Sequence, residues 1–391
     1  MEHTVYLDHA ATTPLDLSVL QKMIPYFAET FGNADSPHTL GRKAMGAVDA
    51  ARDTVAELIG AKKNEVYFTS GGTEADNWAI IGGARAKRAE GKNKIVLSAI
   101  EHHAALSAAE QLAKDGFEIV YLPVNAGGRV ELTALSSAID ERTALVCLMT
   151  ANNETGVLQP VQDGVKLAHE KGALFFTDAV QAAPYMPIDV RELGVDMLSF
   201  SGHKFYGPKG VGALYIKSGV KVEKLIGGGE QERGLRGGTV NVPLVVGFAE
   251  AYKKIRREMT ENTQKLQTLS ALFEEELYAR LANVDGFGGV TLNGERQNKI
   301  PSVLNLRFCG IENTALLFNL DLRGVCVAAG SACASASVKP SHVLTAMGMD
   351  EKTAKECIRI SIGKDNTEAE MRRAAAAIAE VIGKLAALAK K

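Results

Sequence analysis

From the N-terminal region to about residue 255, short apolar runs alternate with longer amphipathic segments. Runs rich in β-branched and aromatic residues, which favour strands, lie at 65–69, 94–98, 118–122, 144–149, 173–177, 197–199 and 212–216. Segments with helical spacing of apolar positions, or rich in alanine, lie between them, for example at 73–90, 104–115 and 161–171. This alternation predicts an α/β domain built on a mainly parallel sheet of seven strands.

After residue 255 the pattern changes to that of a smaller α+β unit. A long polar helix is predicted at 245–281, strands at 302–307 and 358–361, and further helices at 313–321 and 341–347. The last helix is predicted to start at Asn366 and Thr367, because Thr367 and Glu370 have the spacing of a capping box. We therefore predict a large domain of residues 15–255 and a small domain of residues 1–14 and 256–391.

Composition and charge exclude several classes of protein. The 391 residues carry 44 basic and 46 acidic side chains, a balance that gives no field for binding nucleic acid or an anionic membrane. The N-terminus lacks the apolar core of a signal peptide, and the apolar stretches are too short to span a membrane. The histidines lack metal-ligand spacing, and the cysteines form no CxxC pair; the latter are Cys147, Cys309, Cys326, Cys333 and Cys357. We expect a cytoplasmic protein with neither a disulfide framework nor a bound metal.

The predicted strands of the large domain end in polar residues. These strand ends are the segments 69–73, 99–103, 150–154, 177–181 and 201–204. In open α/β sheets, a ligand binds in the crevice beyond the carboxyl ends of the strands. One polar strand end means little, because loops are polar, but five together predict a single lined pocket.

The residue types in this pocket fit pyridoxal phosphate. A glycine–threonine turn at 72–73 leads into a helix and offers N–H groups to a phosphate, whereas Walker A and dinucleotide motifs are absent from the sequence. Asp178 offers the carboxylate that keeps a pyridine nitrogen protonated, Lys204 a Schiff-base amine, and His102 a ring for stacking. Taken singly, these residues have simpler explanations: Asp178 could cap a helix, and Lys209 competes with Lys204 for the same role.

Five motifs are distinctive in combination. They are Tyr-Leu-Asp-His-Ala-Ala-Thr-Thr at 6–13, Asn-Asn-Glu-Thr-Gly at 152–156, Asp-Ala-Val-Gln at 178–181, Ser-Gly-His-Lys at 201–204 and Gln-Glu-Arg-Gly-Leu-Arg-Gly-Gly-Thr at 231–239. From residue 6 to about residue 370, the chain resembles the cysteine desulfurases of the NifS/IscS type. These are class V aminotransferase-like enzymes with the fold type I of pyridoxal-phosphate enzymes. The resemblance implies a homodimer that converts L-cysteine to L-alanine.

The resemblance also implies a role for each residue of the pocket. Lys204 would bind the cofactor and move the Cα proton, Asp178 would pair with the pyridine nitrogen, and His102 would stack on the ring. Further cofactor contacts would come from Gln181, Gly72, Thr73, Ser201, His203 and Asn153, with Thr239 reaching the phosphate of a neighbouring subunit. Asn153 and Arg359 would bind the substrate carboxylate, a task for which a guanidinium fork is suited.

Cys333 is the residue that separates a desulfurase from similar enzymes. It lies in Ala-Ala-Gly-Ser-Ala-Cys-Ala-Ser-Ala-Ser at 328–337, a run with too little apolar bulk to pack down, so we expect an accessible loop. The resemblance implies that the Cys333 thiolate takes the substrate sulfur as a persulfide and delivers it to an acceptor. That acceptor would be an iron–sulfur scaffold or a protein of tRNA or cofactor thiolation. Cys147, Cys357 and Cys326 are expected to be structural.

Some positions depart from the family pattern, and other functions stay open. Ala328 and Ala329 stand where serines are usual, residues 34–35 replace a proline–serine pair, and Glu230 interrupts a glycine run. None of these changes removes a catalytic group. One alternative is a selenocysteine or cysteine-sulfinate β-lyase, which would need Cys333 less. An aminotransferase of the same fold, which would lack the cysteine loop, and a non-catalytic scaffold are the others.

Overall fold

The computed structural model describes residues 4–330 and 340–389. Strands and helices alternate along it as the hydrophobic pattern predicts. The strands are β1 (Val5–Tyr6), β2 (Val66–Thr69), β3 (Lys94–Ser98), β4 (Glu118–Leu122), β5 (Thr143–Cys147), β6 (Leu174–Asp178), β7 (Met197–Ser201), β8 (Gly212–Ile216), β9 (Val290–Asn293), β10 (Val303–Phe308), β11 (Val325–Cys326) and β12 (Cys357–Ser361).

The helices of the described chain are of very different lengths. They are α1 (Leu17–Met23), α2 (Pro25–Ala28), α3 (Thr39–Leu58), α4 (Gly72–Asn77), α5 (Gly83–Lys87), α6 (His103–Lys114), α7 (Leu132–Ala138), α8 (Val161–Glu170), α9 (Val190–Leu193), α10 (Val242–Leu281), α11 (Asn313–Asp321), α12 (His342–Ala346), α13 (Glu351–Ala354) and α14 (Glu368–Ala389). Short 3₁₀ turns lie at Lys63–Glu65, Arg88–Glu90, Gly202–Lys204 and Gln231–Gly234.

The central sheet has seven strands in the order β2-β8-β7-β6-β5-β3-β4. The strands from β7 to β4 in this order are parallel, whereas β8 runs antiparallel to both β7 and β2. All residues of these strands are buried except in β4, of which only Leu122 is buried. Strands covered on both faces appear in a sequence as continuous apolar runs, which explains why they were recognisable. The predicted seven-stranded, mainly parallel sheet is confirmed.

The segment predicted as helical at 73–90 is helical throughout, but it is not one regular α-helix. It consists of α4, a π-helical turn at Trp78–Gly82, α5 and a final 3₁₀ turn. The backbone of Gly82 lies close to Glu223, since a Cβ on Gly82 would be 2.3 Å from the Glu223 carbonyl oxygen. Trp78 Nε1 donates to the same oxygen at 3.0 Å. The wider turn therefore coincides with a long-range contact that a local pattern does not contain.

The C-terminal part, together with the N-terminal strand β1, forms two smaller sheets. β10 pairs antiparallel with both β12 and β9, and β1 pairs in parallel with β11. β10, β12 and α11 match their predicted bounds within one residue, whereas β1 and β9 were not predicted. α14 starts with the predicted capping box: Thr367 N donates to Glu370 Oε2 at 2.9 Å, and Glu370 N donates to Thr367 Oγ1 at 3.3 Å.

Helix α10 joins the two parts of the chain. It runs unbroken over 40 residues, so the predicted domain boundary at residue 255 lies inside it. Its buried residues as far as Ile255 pack in the core around the central sheet. Leu266, Leu269, Phe273 and Leu277 pack instead in a second core, together with residues of β1, β10, β12 and α14. One helix thus contributes to both cores, and the division into two domains stays a prediction.

Candidate active site

A cavity of about 180 Å³ lies at the carboxyl ends of the parallel strands. Its walls include the strand-end residues that the sequence singled out: Gly72, Thr73, His102, Asn153, Asp178, Gln181, Ser201, His203 and Lys204. Arg359 reaches the same cavity from β12. The expectation of a single lined pocket is therefore met, and the structure brings these residues together from distant parts of the chain.

Lys204 is the lysine that faces the cavity. It lies in the 3₁₀ turn that follows β7, and its Nζ donates to the carbonyl oxygens of Ala10 and Ala11, both at 2.7 Å. Gln181 Nε2 donates to the same Ala10 oxygen at 2.9 Å. Lys209 lines a neighbouring, more open cavity instead. Of the two competing lysines, only Lys204 lines the cavity that contains Asp178 and Arg359.

Asp178 ends β6 as a buried carboxylic acid. Its Oδ1 accepts the Val180 N–H at 2.8 Å, and turns, not a helix, follow it, so it does not cap a helix. Burial raises the pKa of Asp178 to about 6. A cation next to this carboxyl group would favour the charged form and lower the pKa again. A protonated ring nitrogen bound next to Asp178 would be such a cation.

Two further buried acids surround Asp178, and sequence reasoning missed both. Asp76 lines the cavity and accepts the Ser199 hydroxyl at 2.6 Å; Glu101 accepts the Met149 N–H at 2.8 Å. Burial raises the pKa of both carboxyl groups well above the usual range, and the negative charge of Asp178 adds to the effect. Asp76 stands three residues after Thr73 at the start of α4, which is one helical turn and was a usable signal.

His102 is held in one tautomer. It is the N-cap of α6, and its Nδ1 accepts the Ala104 N–H at 3.2 Å. Burial, with help from the charge of Lys204, lowers the pKa of His102 to about 4. The ring is therefore neutral at pH 7, and because Nδ1 acts as acceptor, the proton is on Nε2. A neutral ring suits stacking on a cofactor better than a charged one beside Lys204.

One end of the cavity fits a phosphate group. Gly72 and Thr73 begin α4, and Ser201 ends β7 next to them. A Cβ on Gly72 would be only 3.0 Å from Val180 Cγ2 and 3.4 Å from Ser201 Cβ, so glycine leaves room that another residue would fill. Burial lowers the pKa of His203 to about 3, which leaves its ring neutral at pH 7. Backbone N–H groups, hydroxyls and a neutral imidazole at one place are donors that a phosphate accepts from.

The other end of the cavity fits a carboxylate. Arg359 is 1% exposed; its NH2 donates to Asp8 Oδ1 at 2.7 Å and its NH1 to the Asn153 carbonyl oxygen at 3.0 Å. Its Nε and the side-chain oxygen of Asn153 are both buried, and neither has a hydrogen-bond partner among residues 4–330 and 340–389. Buried polar atoms normally have partners, so a polar ligand bound here would satisfy both atoms. Sequence reasoning named Arg359 and Asn153 but missed Asp8, which lies in the first motif.

Cys333, predicted as a catalytic residue, lies outside the described residues. Thr239 is exposed and does not line the cavity within one chain, so its predicted contact with a neighbouring subunit stays a prediction. The residues on either side of the undescribed segment 331–339 meet at Glu154: Ser341 Oγ donates to Glu154 Oε2 at 2.5 Å, and a Cβ on Gly330 would lie 3.1 Å from the same oxygen.

The other cysteines differ in their surroundings. Cys147 and Cys357 are buried, as predicted for structural residues, and burial raises the pKa of Cys357 to about 11. Cys326, expected in the core, is only partly buried on β11, and burial raises the pKa of its thiol too. Thiols with raised pKa values are poor nucleophiles at neutral pH.

Within the described part of the chain, no helix is long and apolar enough to cross a membrane. In the same residues, no three or more His, Cys, Asp or Glu side chains are grouped so as to hold a metal ion.

The chain also matches a known family over most of its length. A family model described as Aminotransferase class-V aligns with residues 5–373. The chain belongs to the aminotransferase class-V family. This match, together with the mainly parallel seven-stranded sheet, confirms the fold class predicted from the sequence.

Individual members of this family are similar over almost the whole chain. The cysteine desulfurase IscS of Clostridium botulinum is 45% identical over 373 residues, which cover 95% of this chain and 92% of the relative. A solved structure named NIFS-LIKE PROTEIN is 37% identical with a TM-score of 0.90, covering 98% of this chain and 100% of that chain. Another, described as SspA in complex with cysteine, is 34% identical with a TM-score of 0.79. The match covers 93% of this chain and 100% of that chain. The resemblance to the NifS/IscS type is confirmed.

Proposed function

We propose that this class-V chain is a cysteine desulfurase that binds pyridoxal phosphate in the cavity and transfers the sulfur of L-cysteine to Cys333. The observation that carries the proposal is that three complementary groups line one cavity. They are the amine of Lys204, the buried carboxyl group of Asp178, and Arg359, whose Nε has no hydrogen-bond partner among the described residues. The relatives named as cysteine desulfurases support the choice of reaction.

The residues of the cavity fit this cofactor. Gly72, Thr73, Ser201 and His203 would hold its phosphate, and Gln181 its ring hydroxyl. Asp178 would hold its ring nitrogen and Lys204 its aldehyde carbon. When bound, pyridoxal phosphate draws electrons away from the Cα atom of an amino acid and makes the Cα proton acidic. Thr239 of a second subunit would complete the phosphate contacts, which makes a homodimer part of the proposal.

Arg359 and Asn153 bind the α-carboxylate of the substrate. Arg359 Nε, which has no acceptor among the described residues, donates to one carboxylate oxygen, and the Asn153 amide can turn its NH2 group towards the other. Because the guanidinium is buried, water competes little for this hydrogen bond. The substrate is thereby fixed with its Cα near Lys204.

Lys204 moves the proton at Cα. Its Nζ is held by the carbonyl oxygens of Ala10 and Ala11, which accept N–H groups and so stabilise the protonated amine after it has taken the proton. The neutral His102 lines the same cavity. Its Nδ1 accepts the Ala104 N–H, so its Nε2 is the ring nitrogen that can carry a proton. The pKa of about 4 ensures that His102 does not repel Lys204.

Cys333 accepts the sulfur. Its thiolate attacks the sulfur atom of the bound cysteine; the Cβ–S bond breaks, an S–S bond forms, and the carbon skeleton takes a proton and leaves as L-alanine. One cysteine and one thiol give one alanine and one persulfide, so atoms and electrons balance. Gly330 and Ser341, which lie on either side of the undescribed residues, are both near Glu154, the neighbour of Asn153. The persulfide then passes to an acceptor of the cytoplasm, such as an iron–sulfur scaffold or a thiolation protein.

The test is product analysis with purified, pyridoxal-loaded protein. L-Cysteine and a thiol reductant are added, and alanine, sulfide and pyruvate are quantified for the wild type, for Cys333→Ala and for Cys326→Ala. We expect equal amounts of alanine and sulfide from the wild type. Both should fall at least about a hundredfold in Cys333→Ala, since nucleophilic catalysis is lost, and persist in Cys326→Ala.

Two outcomes would reject the proposal. Pyruvate as the main product would indicate elimination, in which the sulfur leaves without an acceptor thiol. Alanine formation that survives Cys333→Ala would favour the β-lyase alternative, in which the same cavity acts on selenocysteine or cysteine sulfinate. Cys326→Ala removes a thiol only seven positions away, so it controls for the loss of any thiol near the segment.

A further inference from the structure

The guanidinium of Arg359 is fixed by two acceptors from different parts of the chain. Asp8 Oδ1 accepts from NH2 at 2.7 Å, and the Asn153 carbonyl oxygen accepts from NH1 at 3.0 Å. The Arg359 side chain is 1% exposed and that of Asp8 is 20% exposed. A planar group held at both terminal nitrogens has one orientation, and in it the Nε atom is the donor left without an acceptor among the described residues.

The backbone holds Asp8 rigidly beside β12. Asp8 forms a parallel bridge with Ser361, which is two residues after Arg359 on the same strand. Its carbonyl oxygen accepts the Tyr6 hydroxyl at 3.1 Å and the Ala11 N–H at 3.0 Å. The Asp8 backbone therefore has little freedom to move, which keeps its carboxylate beside the Arg359 guanidinium and lets it set where the guanidinium lies.

We propose that Asp8 is a positioning residue for the substrate: it orients Arg359 so that the Nε edge faces the α-carboxylate of the amino acid. The inference rests on the proposed function, because it takes Arg359 as the carboxylate ligand. Asp8 itself does not line the cavity, so it acts through Arg359 and does not touch the substrate.

The main rival explanation is that Asp8 weakens substrate binding. It predicts a change in binding of the opposite sign when Asp8 is removed. As a plain counter-ion, Asp8 would compete with the substrate carboxylate for Arg359, and its removal would strengthen binding. As a positioning residue, its removal frees NH2 to rotate the guanidinium away from the productive edge, and binding weakens. A buried guanidinium that loses one of its two anchors also loses much of its charge compensation, which favours such a rotation.

The experiment compares Asp8→Ala with Asp8→Asn. Asparagine keeps an oxygen that accepts from NH2 but removes the charge, whereas alanine removes both. We expect KM for L-cysteine to rise about tenfold in Asp8→Ala, the size typical of losing one charge-assisted hydrogen bond, with a smaller change in kcat. Asp8→Asn should bring KM back to within about threefold of the wild-type value. Asp163→Ala, which removes an exposed carboxylate of α8, is the control for a general loss of charge.

A double-mutant cycle shows whether Asp8 acts through Arg359. In an Arg359→Lys background, the effect of Asp8→Ala on KM should largely disappear, because the residue that it orients is gone. The same variants are titrated with L-alanine, the unreactive product, followed by the absorbance of the loaded protein. This binding assay needs no turnover, so it tests Asp8 even if the wild type fails to desulfurate cysteine.

Each outcome supports or overturns the inference. A KM that is unchanged or lower in Asp8→Ala, in a folded protein with its cofactor bound, would overturn it. So would an Asp8→Ala effect of full size in the Arg359→Lys background, or an Asp8→Asn variant as impaired as Asp8→Ala. If Asp8→Ala does not fold, the KM and alanine affinity of Asp8→Asn decide: both must stay closer to wild type than those of Arg359→Lys.

Discussion

Burial determines the protonation state of the ionisable residues in the cavity. Asp178 is buried at the end of β6, and burial raises its pKa from 3.8 to about 6. His102 and His203 respond in the opposite direction, with pKa values lowered to about 4 and about 3, because burial disfavours the charged form of each group. At pH 7 the cavity thus has neutral imidazoles, and Asp178 can be compensated by a cation bound in front of it.

Asp178→Asn should change how the stability of the cofactor-free protein depends on pH. Between pH 3.8 and about 6, the folded protein keeps a proton on Asp178 that the unfolded chain has lost. The contribution of this group to stability therefore falls as the pH rises through that window. The variant has no charge to bury, so the melting temperature of the variant relative to wild type should increase by a few degrees from pH 4 to pH 7.

Calorimetry of the two proteins at a series of pH values measures this difference. Asp163→Asn on the exposed face of α8 is the matched control and should show no such increase. A difference between Asp178→Asn and wild type that is flat or shrinks with pH would contradict a raised pKa.

At the scale of single residues, the sequence was most informative where chemistry and position coincide. Asp178 and Lys204 combine a functional group with a strand end, so they were predictable. Asp8 carried no such signal, because its importance comes from an ion pair with a residue 351 positions away. Asp76 and Glu101 were missed because an acidic residue in a helix or loop is ordinarily solvated, and only the structure shows these two buried.

At the scale of elements, α3 shows how the same residue type has two opposite roles. A Cβ on Gly41, near the start of the helix, would be 2.2 Å from the Ser36 carbonyl oxygen and 2.7 Å from that of Asn33. Gly46, in the middle of the same helix, is exposed and would have nothing within 4 Å of a Cβ. The first glycine permits the turn at 33–36 to pack on the helix, whereas the second only adds flexibility to the unfolded chain.

The two alanine variants should therefore differ in sign. Gly46→Ala should stabilise the protein by about 0.5–1 kcal/mol, because alanine has the higher helix propensity. Gly41→Ala should destabilise it by about 1–3 kcal/mol or more, since backbone atoms must move to accept the new methyl group. Unfolding in urea gives both free energies; a Gly41→Ala protein as stable as wild type would contradict the close approach of the turn.

The predictions of helices and strands were correct where a strand is buried on both faces or where a capping motif in the sequence sets the end of a helix. The strands of the central sheet and the start of α14 belong to this class. The interruption of the 73–90 helix and the short strands β1 and β9 do not, because a π turn and a strand of two to four residues depend on the segment that packs against them. Element type was thus predictable from the chain, but interruptions and short pairings required the partners.

At the scale of the whole molecule, α10 connects the two cores. Its first half packs with the residues around the central sheet and its second half with the smaller sheets. Because both cores pack on the same continuous helix, unfolding of one core destabilises the other. We therefore expect the wild type to unfold in a single calorimetric transition.

Glu261→Pro tests this coupling. Glu261 is exposed near the middle of α10, and proline in a helix interior costs about 3 kcal/mol. We expect a lower and broader transition that separates into two, one for each core. Glu261→Ala removes the same side chain without breaking the helix and should melt as wild type does. A Glu261→Pro protein that melts like Glu261→Ala would show that α10 does not couple the cores.

The sequence by itself determined the family, the central sheet and most of the cavity wall. Buried parallel strands are apolar throughout, so they can be recognised in the sequence. The functional residues directly follow these strands, so the adjacent apolar run identifies each of them. The tertiary structure decided the pairing of Asp8 with Arg359, the burial of Asp76 and Glu101, and the packing of α10 against both cores. These features depend on contacts between residues far apart in the chain, and no local pattern of polar and apolar positions encodes which distant residue arrives at a given place.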